Sequence, residues 1–142
     1  MGNEDSKYKA MTDIRFHGVK PTRATKHSAG YDLRSQLDII IPAGATVGID
    51  TGTLAIFPPH LCAMVCSRSG LALRGLAVAN APGIIDADYG DTIKVLLHNR
   101  TQGDWVIEKG ERIAQVVFVQ YFTGDDVPLE DRVGGLGSTG IA

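Results

Sequence analysis

Glycine and proline interrupt this chain so often that few segments are long enough for a helix of ordinary length. The chain holds 17 glycines and 6 prolines, and the runs between them are short and rich in Val, Ile and Thr. Short β-branched runs separated by turn-forming residues are typical of an all-β sandwich or barrel. The runs predicted to be strands are residues 13–19, 37–41, 45–51, 61–66, 92–98, 105–107 and 112–121.

Two segments depart from this pattern. Residues 69–74, Ser-Gly-Leu-Ala-Leu-Arg, contain good helix formers after a serine that can cap a helix. They predict one short helix that begins near residues 67–70. Residues 132–140 are so rich in glycine that they predict a mobile tail unless a ligand or a neighbour orders them.

The composition narrows the classes of function. A chain of 142 residues with a formal net charge of -2 can form one domain, and it lacks the excess of Lys and Arg typical of proteins that track a nucleic-acid backbone. No apolar run approaches the roughly 20 residues of a membrane helix, and the N-terminus lacks the apolar centre of a signal peptide. We therefore expect an intracellular protein, cytoplasmic or nuclear, that binds neither nucleic acid nor membrane.

The two cysteines predict neither a disulfide nor a zinc site. Cys62 and Cys66 lie in one strand-like run, which separates them by roughly 13 Å. That distance is too great for a disulfide, and no further Cys or His stands at ligand spacing. We expect two free thiols that act as small hydrophobic side chains.

Five segments combine residue types that carry chemistry, and two of them suit an anion. The first, Ala-Gly-Tyr-Asp-Leu-Arg-Ser at 29–35, offers Asp32, which alone could equally be a buried hydrogen-bond acceptor. The second, Ser-Arg-Ser-Gly-Leu-Ala at 67–72, brings Arg68, Ser69 and Gly70 to the start of the predicted helix. Backbone N–H groups, a guanidinium and a glycine that permits close approach suit a phosphate. An ordinary capped helix has the same sequence features.

The third segment, residues 80–91, combines carboxylates with an aromatic ring. Two apolar β-branched residues precede Asp86, and Tyr89 follows it. The Pro-Gly pair before them and the Tyr-Gly pair after them predict the two ends of a hairpin. The main chain of such a hairpin could bind the edge of a base, and Asp86 could accept a proton from water. The alternatives are an Asx-turn for Asp86 and a ring at the edge of the core for Tyr89.

The last two segments add an amide and a tail of donors. Residues 110–115 place Gln115 among apolar strand residues, where a buried amide needs partners. The glycine-rich tail offers Arg132, Ser138 and Thr139, and plain disorder is the alternative for it.

In order and spacing, the five segments together resemble the signature segments of the homotrimeric dUTPases. The motifs are Ala-Gly-Tyr-Asp-Leu-Arg-Ser, Arg-Ser-Gly-Leu-Ala, Gly-Ile-Ile-Asp-Ala-Asp-Tyr, Gly-Glu-Arg-Ile-Ala-Gln and Gly-Ser-Thr-Gly. The resemblance runs from residue 14 to residue 140, and chance agreement of all five motifs is negligible.

The resemblance implies a fold and an assembly. The fold would be an all-β, jelly-roll-like barrel of the dUTPase β-clip type, with one short helix and a flexible glycine-rich arm, assembled as a homotrimer. The chain would divide into a flexible leader at 1–12, the barrel domain at 13–127 and an arm at 128–142 that closes the active site of a neighbouring subunit. Each site would take its first, second and fourth segments from one chain, its third from another and the arm from the remaining chain.

The resemblance also implies an activity, the hydrolysis of dUTP to dUMP and pyrophosphate, which keeps uracil out of DNA and supplies dUMP for dTMP synthesis. Asp86 would be the general base that deprotonates a water for in-line attack on the α-phosphorus. Tyr89 would pack on the deoxyribose and leave no room for a 2′-hydroxyl. The other residues implied to bind substrate are Arg68, Ser69, Gly70 and Gln115 for the phosphates, Asn80, Gly83 and Ile85 for uracil, and Arg132, Leu136, Gly137, Ser138 and Thr139 in the closing arm.

The cofactor implied is Mg²⁺, carried by the substrate phosphates and otherwise bound by water. No direct protein ligand is predicted, and Asp32 would organise the site through water. Two other functions stay open. One is a catalytically weak nucleotide-binding or regulatory protein on the same scaffold. The other is dCTP deaminase, which shares the fold but usually has a Glu in the third segment that this chain lacks.

The chain departs from the family pattern after Tyr89. Gly90-Asp91-Thr92 stands where the family often has Arg-Gly-Glu or Gln-Gly-Gln, a change that could alter the shape of the hairpin or the contacts of the trimer. Ser67 also stands where many members have a proline before the arginine.

A further departure, in the tail, yields a test. Leu136 stands where the family tail usually carries a phenylalanine that stacks on uracil. Stacking of an aromatic ring on a base is worth about 1–3 kcal/mol, and leucine keeps apolar contact without the π-face. We expect Leu136→Phe to raise kcat/KM for dUTP by roughly tenfold, measured by steady-state release of pyrophosphate. No gain in kcat/KM would contradict the stacking argument.

Overall fold

The computed structural model describes residues 10–125 and 127–130 of the chain. Within them, short strands alternate with turns, and none of their helices is long and apolar enough to cross a bilayer. The elements are β1 (Arg15–Gly18), β2 (Tyr31–Arg34), β3 (Ile39–Ile41), β4 (Thr46–Asp50), β5 (Thr53–Ile56), β6 (Leu61–Cys66), α1 (Ser69–Arg74), β7 (Leu76–Val78), β8 (Gly83–Ile85), β9 (Lys94–Asn99), β10 (Trp105–Ile107) and β11 (Arg112–Gln120).

The strands pair antiparallel in four small sheets. Their orders are β1-β5, β3-β10, β4-β9-β7 and β2-β11-β6-β8. Most neighbours in these sheets are distant in sequence, so the chain crosses repeatedly between sheets around one shared core. The all-β prediction is confirmed.

The core is built from the inward side chains of these alternating strands. In β9, Val95 and Leu97 are completely buried, while the alternate residues Lys94, Leu96 and His98 are half-buried. Each large aliphatic side chain buried in this way contributes about 1.5–3 kcal/mol relative to exposure. Asn99 is also buried, and its amide is satisfied: Nδ2 donates to Ile41 O at 2.9 Å, and Oδ1 accepts from Thr101 Oγ1 at 2.7 Å. These hydrogen bonds link Asn99 of β9 to β3 and give both polar atoms of the amide a partner.

The predicted helix is present, but its predicted serine cap is wrong. α1 begins at Ser69, its N-cap is Arg68 in an extended conformation, and no side chain caps it. Ser67 Oγ instead accepts from the N–H of Val78 at 2.9 Å, because the chain returns from α1 into β7 beside it. The helix ends at Gly75, whose φ of 105° suits a residue without a side chain.

The predicted hairpin over the third segment is also wrong. β8 pairs with β6, eighteen or more residues earlier in the chain, with Ile85 opposite Ala63. After β8 the chain leaves through a turn in which the N–H of Tyr89 donates to Asp86 O at 3.1 Å. Pairing across the sheet buries Gly83 and part of Ile85 against the core, which a local hairpin would not do.

Candidate active site

The central strand β11 brings polar side chains of two neighbouring strands together. Gln115 lies opposite Asp32 of β2 on one side and Cys66 of β6 on the other. Arg68 follows two residues after Cys66, where β6 gives way to α1. Asp32, Arg68, Gln115 and Arg112, the first residue of β11, therefore gather at one end of the sheet; we call these four residues the basic cluster.

Asp32 lies between the two guanidinium groups of the basic cluster. Its Oδ1 is 3.8 Å from Arg68 Nε and its Oδ2 is 3.7 Å from Arg112 Nη1, and its side chain is only 15% exposed. One carboxylate does not neutralise two guanidinium groups, so the cluster keeps a net positive charge. Because these distances are those of ion pairs rather than short hydrogen bonds, most arginine donors remain for an anionic ligand.

Gln115 is held by two other segments of the chain. Its Nε2 donates to Ser67 O at 3.0 Å, which supplies the partner that an amide at this position requires. Its Oε1 occupies the space beside Gly30, where a β-carbon would collide with Oε1 and come within 3.2 Å of Gln115 Cβ. Gly30 thus leaves room for the amide, and the amide in turn fixes the residue before Arg68.

The start of α1 is open to a ligand. Ser69 and Gly70 are exposed, and a β-carbon on Gly70 would meet no heavy atom within 4 Å. Arg68 reaches across to β11, where its Nη1 donates to Arg112 O at 3.3 Å. The structure therefore brings together the four residues predicted to bind phosphate, since Gln115 lies beside this turn.

The third segment lies on the other side of β6. The sheet order places β8 at an edge, with Ile85 opposite Ala63. The side chain of Asn80 folds against Gly83, where its Nδ2 would be 3.1 Å from a β-carbon. Asp86, directly after β8, is exposed to solvent.

Tyr89 is hydrogen-bonded through both its backbone N–H and its phenol group. Its N–H donates to Asp86 O at 3.1 Å and its phenol Oη donates to Thr92 O at 3.2 Å. The residue is half-buried, so one part of it remains available for contact.

Asp86 and the basic cluster do not meet within one chain. Asp86 follows Ile85, which lies opposite Ala63 near the start of β6. Gln115 lies opposite Cys66 at the end of β6, so the two residues are offset by about four positions along β6. At about 3.3 Å per residue this offset is roughly 13 Å along the sheet, and two strand spacings add about 10 Å across it. A glutamine and an aspartate joined by one water cannot span that separation. Within one chain, Asp86 and the basic cluster therefore lie well apart.

Metal-binding side chains do not cluster in the part of the chain that the structure describes. No group of three or more His, Cys, Asp or Glu side chains is placed there to hold an ion, and Cys62 and Cys66 are free thiols as predicted. Asp32 is already engaged by two arginines. Mg²⁺ often keeps several waters and binds through substrate phosphates, and binding of that kind requires no cluster of protein ligands.

Part of the predicted site lies outside the described residues. This holds for Arg132, Leu136, Gly137, Ser138 and Thr139 of the tail, and for residues 1–9 of the predicted leader. Their roles stay predictions.

Sequence reasoning gave no role to three residues that shape the cluster. Gly30, Ser67 and Arg112 all lie inside or beside the chemical segments, but their contacts depend on the register of β11 against β2 and β6. Of the three, only Gly30 could have been identified from the sequence, because a glycine in or beside a strand often marks a close approach by another group.

The chain is similar to proteins of one family along most of its length. The family model described as dUTPase matches residues 17–140. A deoxyuridine 5'-triphosphate nucleotidohydrolase of Rickettsia massiliae is 44% identical over 135 aligned residues, which cover 89% of this chain and 91% of the relative. The crystal structure of a dUTPase from Streptococcus mutans superposes with a TM-score of 0.73 at 32% identity, covering 78% of this chain and 98% of that one. A dUTPase of phage phi11, described with a structural Mg(II) ion, shares the fold at 20% identity and a TM-score of 0.74, covering 84% of this chain and 97% of that one.

The contact between Gly30 and Gln115 predicts how much a methyl group added at residue 30 would lower the free energy of unfolding. In Gly30→Ala, the new β-carbon must push the Gln115 amide away and break its bond to Ser67 O. Overpacking of this kind costs about 1–3 kcal/mol, so we expect the free energy of unfolding to fall by that amount, measured by chemical denaturation. Gly103→Ala is the matched control, because its β-carbon would meet no heavy atom within 4 Å. Equal stability of the two variants would contradict the packing argument.

Proposed function

The chain belongs to the dUTPase family, and we propose that it acts as a dUTP diphosphatase, hydrolysing dUTP to dUMP and pyrophosphate. The observation that carries the proposal is that the family match over residues 17–140 includes both a positive cluster suited to phosphates and an exposed carboxylate suited to a water. Neither group alone would distinguish a nucleotide hydrolase from a protein that only binds an anion.

Asp86 is the proposed general base. Aspartate carboxylates are normally ionised at neutral pH, and Asp86 is exposed at the end of β8, where a water can reach it. The water oxygen attacks the α-phosphorus while its proton passes to Asp86. The bond from the α-phosphorus to the bridging oxygen breaks in line, and pyrophosphate leaves with the electron pair. A positioned base of this kind accelerates a reaction by roughly 10²- to 10⁴-fold.

The basic cluster is the proposed phosphate site. Arg68 offers donors that its contacts with Asp32 and Arg112 leave unused, and Ser69 and Gly70 expose the start of α1. Gln115 would complete the site, with its orientation set by Ser67. Mg²⁺ carried by the phosphates would neutralise part of their charge, which lowers the repulsion that an entering water oxygen meets.

The edge strand β8 is the proposed reader of uracil. An edge strand has main-chain N–H and C=O groups that its single neighbour does not pair, and residues from Gly83 to Ile85 would offer them to the base. Asn80, packed against Gly83, would add a side-chain contact. A site that pairs polar groups with one base rejects another strongly, because a mismatched base leaves buried groups unpaired. Tyr89 would pack on the sugar and exclude a 2′-hydroxyl.

The separation between Asp86 and Gln115 supports a site shared between chains of a homotrimer. One chain would supply the basic cluster and a second would supply β8, Asp86 and Tyr89. The arm at 128–142, with Arg132, Leu136, Gly137, Ser138 and Thr139, would come from the third chain and close over the substrate. Closure of a mobile segment excludes water and aligns the reacting groups.

The activity is tested by release of pyrophosphate from dUTP, dTTP, dCTP and UTP, with and without Mg²⁺. We expect hydrolysis of dUTP alone, dependent on Mg²⁺, because Asp86 can act only on a nucleotide that β8 and Tyr89 accept. Asp86→Asn keeps the size of the side chain and removes the proton acceptor, so kcat should fall by roughly 10²- to 10⁴-fold with the oligomer intact by light scattering. Nucleotide binding without pyrophosphate release by the wild type would contradict the proposal.

The shared site is tested by mixing two inactive variants. Asp86→Asn chains retain the basic cluster, and Arg68→Ala chains retain the base. Unfolded together and refolded as random mixed oligomers, they should recover about a quarter of wild-type activity, because two independent choices of chain must both be favourable. A mixture of Asp86→Asn with the Asp86→Asn/Arg68→Ala double variant is the control. Sites formed within single chains would show no recovery in either mixture.

A further inference from the structure

One carbonyl oxygen anchors the loop that carries Tyr89. Thr92 O accepts the phenol Oη of Tyr89 at 3.2 Å and also the Nζ of Lys94 at 3.0 Å. The ring and the ammonium group are therefore joined through a single acceptor. Any movement of Thr92 must move the point to which the phenol is bound.

Lys94 holds Thr92 more firmly than one hydrogen bond would. Its Nζ also donates to Thr92 Oγ1 at 2.8 Å and lies 3.4 Å from Asp91 Oδ2 and 3.9 Å from Asp50 Oδ2. An ammonium group has three donors, and two of them go to this one threonine. Hydrogen bonds from a charged donor are roughly twice as strong as neutral ones.

We call the contacts of Lys94 with Asp91 and Thr92 the clamp, and the clamp also ties the loop after Tyr89 to the barrel. Lys94 begins β9 and lies opposite Asp50 of β4, so its backbone is fixed in a sheet, and its side chain is only 27% exposed. The N–H of Thr92 donates to Asp91 Oδ1 at 2.7 Å, which, with the nearby Lys94, holds the pKa of the Asp91 carboxyl below its ordinary value. Thr92 is thus bound on its carbonyl, its hydroxyl and its N–H.

The clamp is built from residues that closely follow Tyr89. Gly90, with a φ of 72°, precedes Asp91 and Thr92. Thr92 supplies the hydroxyl that takes the second donor of Lys94. The loop after Tyr89 is therefore held by a lysine–threonine contact.

We propose that Lys94 is a positioning residue for selection of the sugar: by holding Thr92 O, it fixes the ring of Tyr89 against the 2′ side of the nucleotide. The inference rests on the proposed function, in which Tyr89 packs on the deoxyribose. Lys94 itself need not touch the substrate. Its contribution is to keep the ring from retreating when a 2′-hydroxyl presses on it.

The test is the ratio of kcat/KM for dUTP to kcat/KM for UTP. Because both substrates are measured on one preparation, this ratio does not change with the fraction of protein that is folded. Discrimination by the exclusion of one small group is worth roughly 10- to 200-fold, and we expect Lys94→Met to lower the ratio about tenfold by loosening the ring. Lys94→Arg keeps a charged donor and should restore most of the ratio.

The controls separate this inference from the proposed function. Lys109→Met removes one lysine from the turn between β10 and β11 and should leave the ratio unchanged. Tyr89→Phe breaks the bond to Thr92 O, so adding Lys94→Met to it should lower the ratio no further. A fall in the ratio with Tyr89→Ala but none with Lys94→Met, or additive losses in Lys94→Met/Tyr89→Phe, would overturn the inference alone. An unchanged ratio with Tyr89→Ala, or no hydrolysis of dUTP by the wild type, would overturn both.

Discussion

The pairing of β11 with two strands at once is the constraint on which the candidate site depends. β11 lies between β2 and β6, and its register sets which residues share the end of the sheet. A slip of one residue would turn Gln115 to the opposite face and move it away from Ser67. Buried neighbours oppose such a slip, because in either direction the buried Val116 would exchange places with a partly exposed side chain. The packing of the hydrophobic core thus fixes the geometry of the polar cluster.

Electrostatics at this end of the sheet favours an anionic ligand. Asp32 holds two guanidinium groups in place without neutralising both. Like charges held near each other raise the free energy of the empty site, and an anion that binds there relieves that repulsion. The carboxylate thus orients the arginines, and in the proposed site a phosphate of the substrate would meet the positive charge that remains.

The sequence predicted the longer strands, the short helix and three of the four residues of the basic cluster, Asp32, Arg68 and Gln115. Strands such as β6, β9 and β11 carry enough apolar residues to be evident, and the isolated Gln115 among apolar residues required a partner. The short strands β5 and β7 were missed, because Thr-Leu-Ala-Ile and Leu-Ala-Val carry a weaker strand preference than the Trp-Val-Ile of β10, which was predicted. The hairpin prediction for the third segment failed because the partner of β8 is β6, and a pairing between segments so far apart leaves no local signal. For the same reason, the contact of Gly30 with Gln115 and the distance between Asp86 and the basic cluster became visible only in three dimensions.

The shortness of the edge strand β8 also bears on aggregation. A free strand edge is a template on which the strands of other molecules can assemble into aggregates, and Ile84 at the middle of β8 is 57% exposed. Only three residues form this strand, and the chain turns away at Asp86. An edge of that length offers too few contacts to recruit a foreign strand stably, yet in the proposed site it would be long enough to meet the few polar atoms of a pyrimidine. Brevity would thus reconcile the proposed recognition edge with resistance to misassembly.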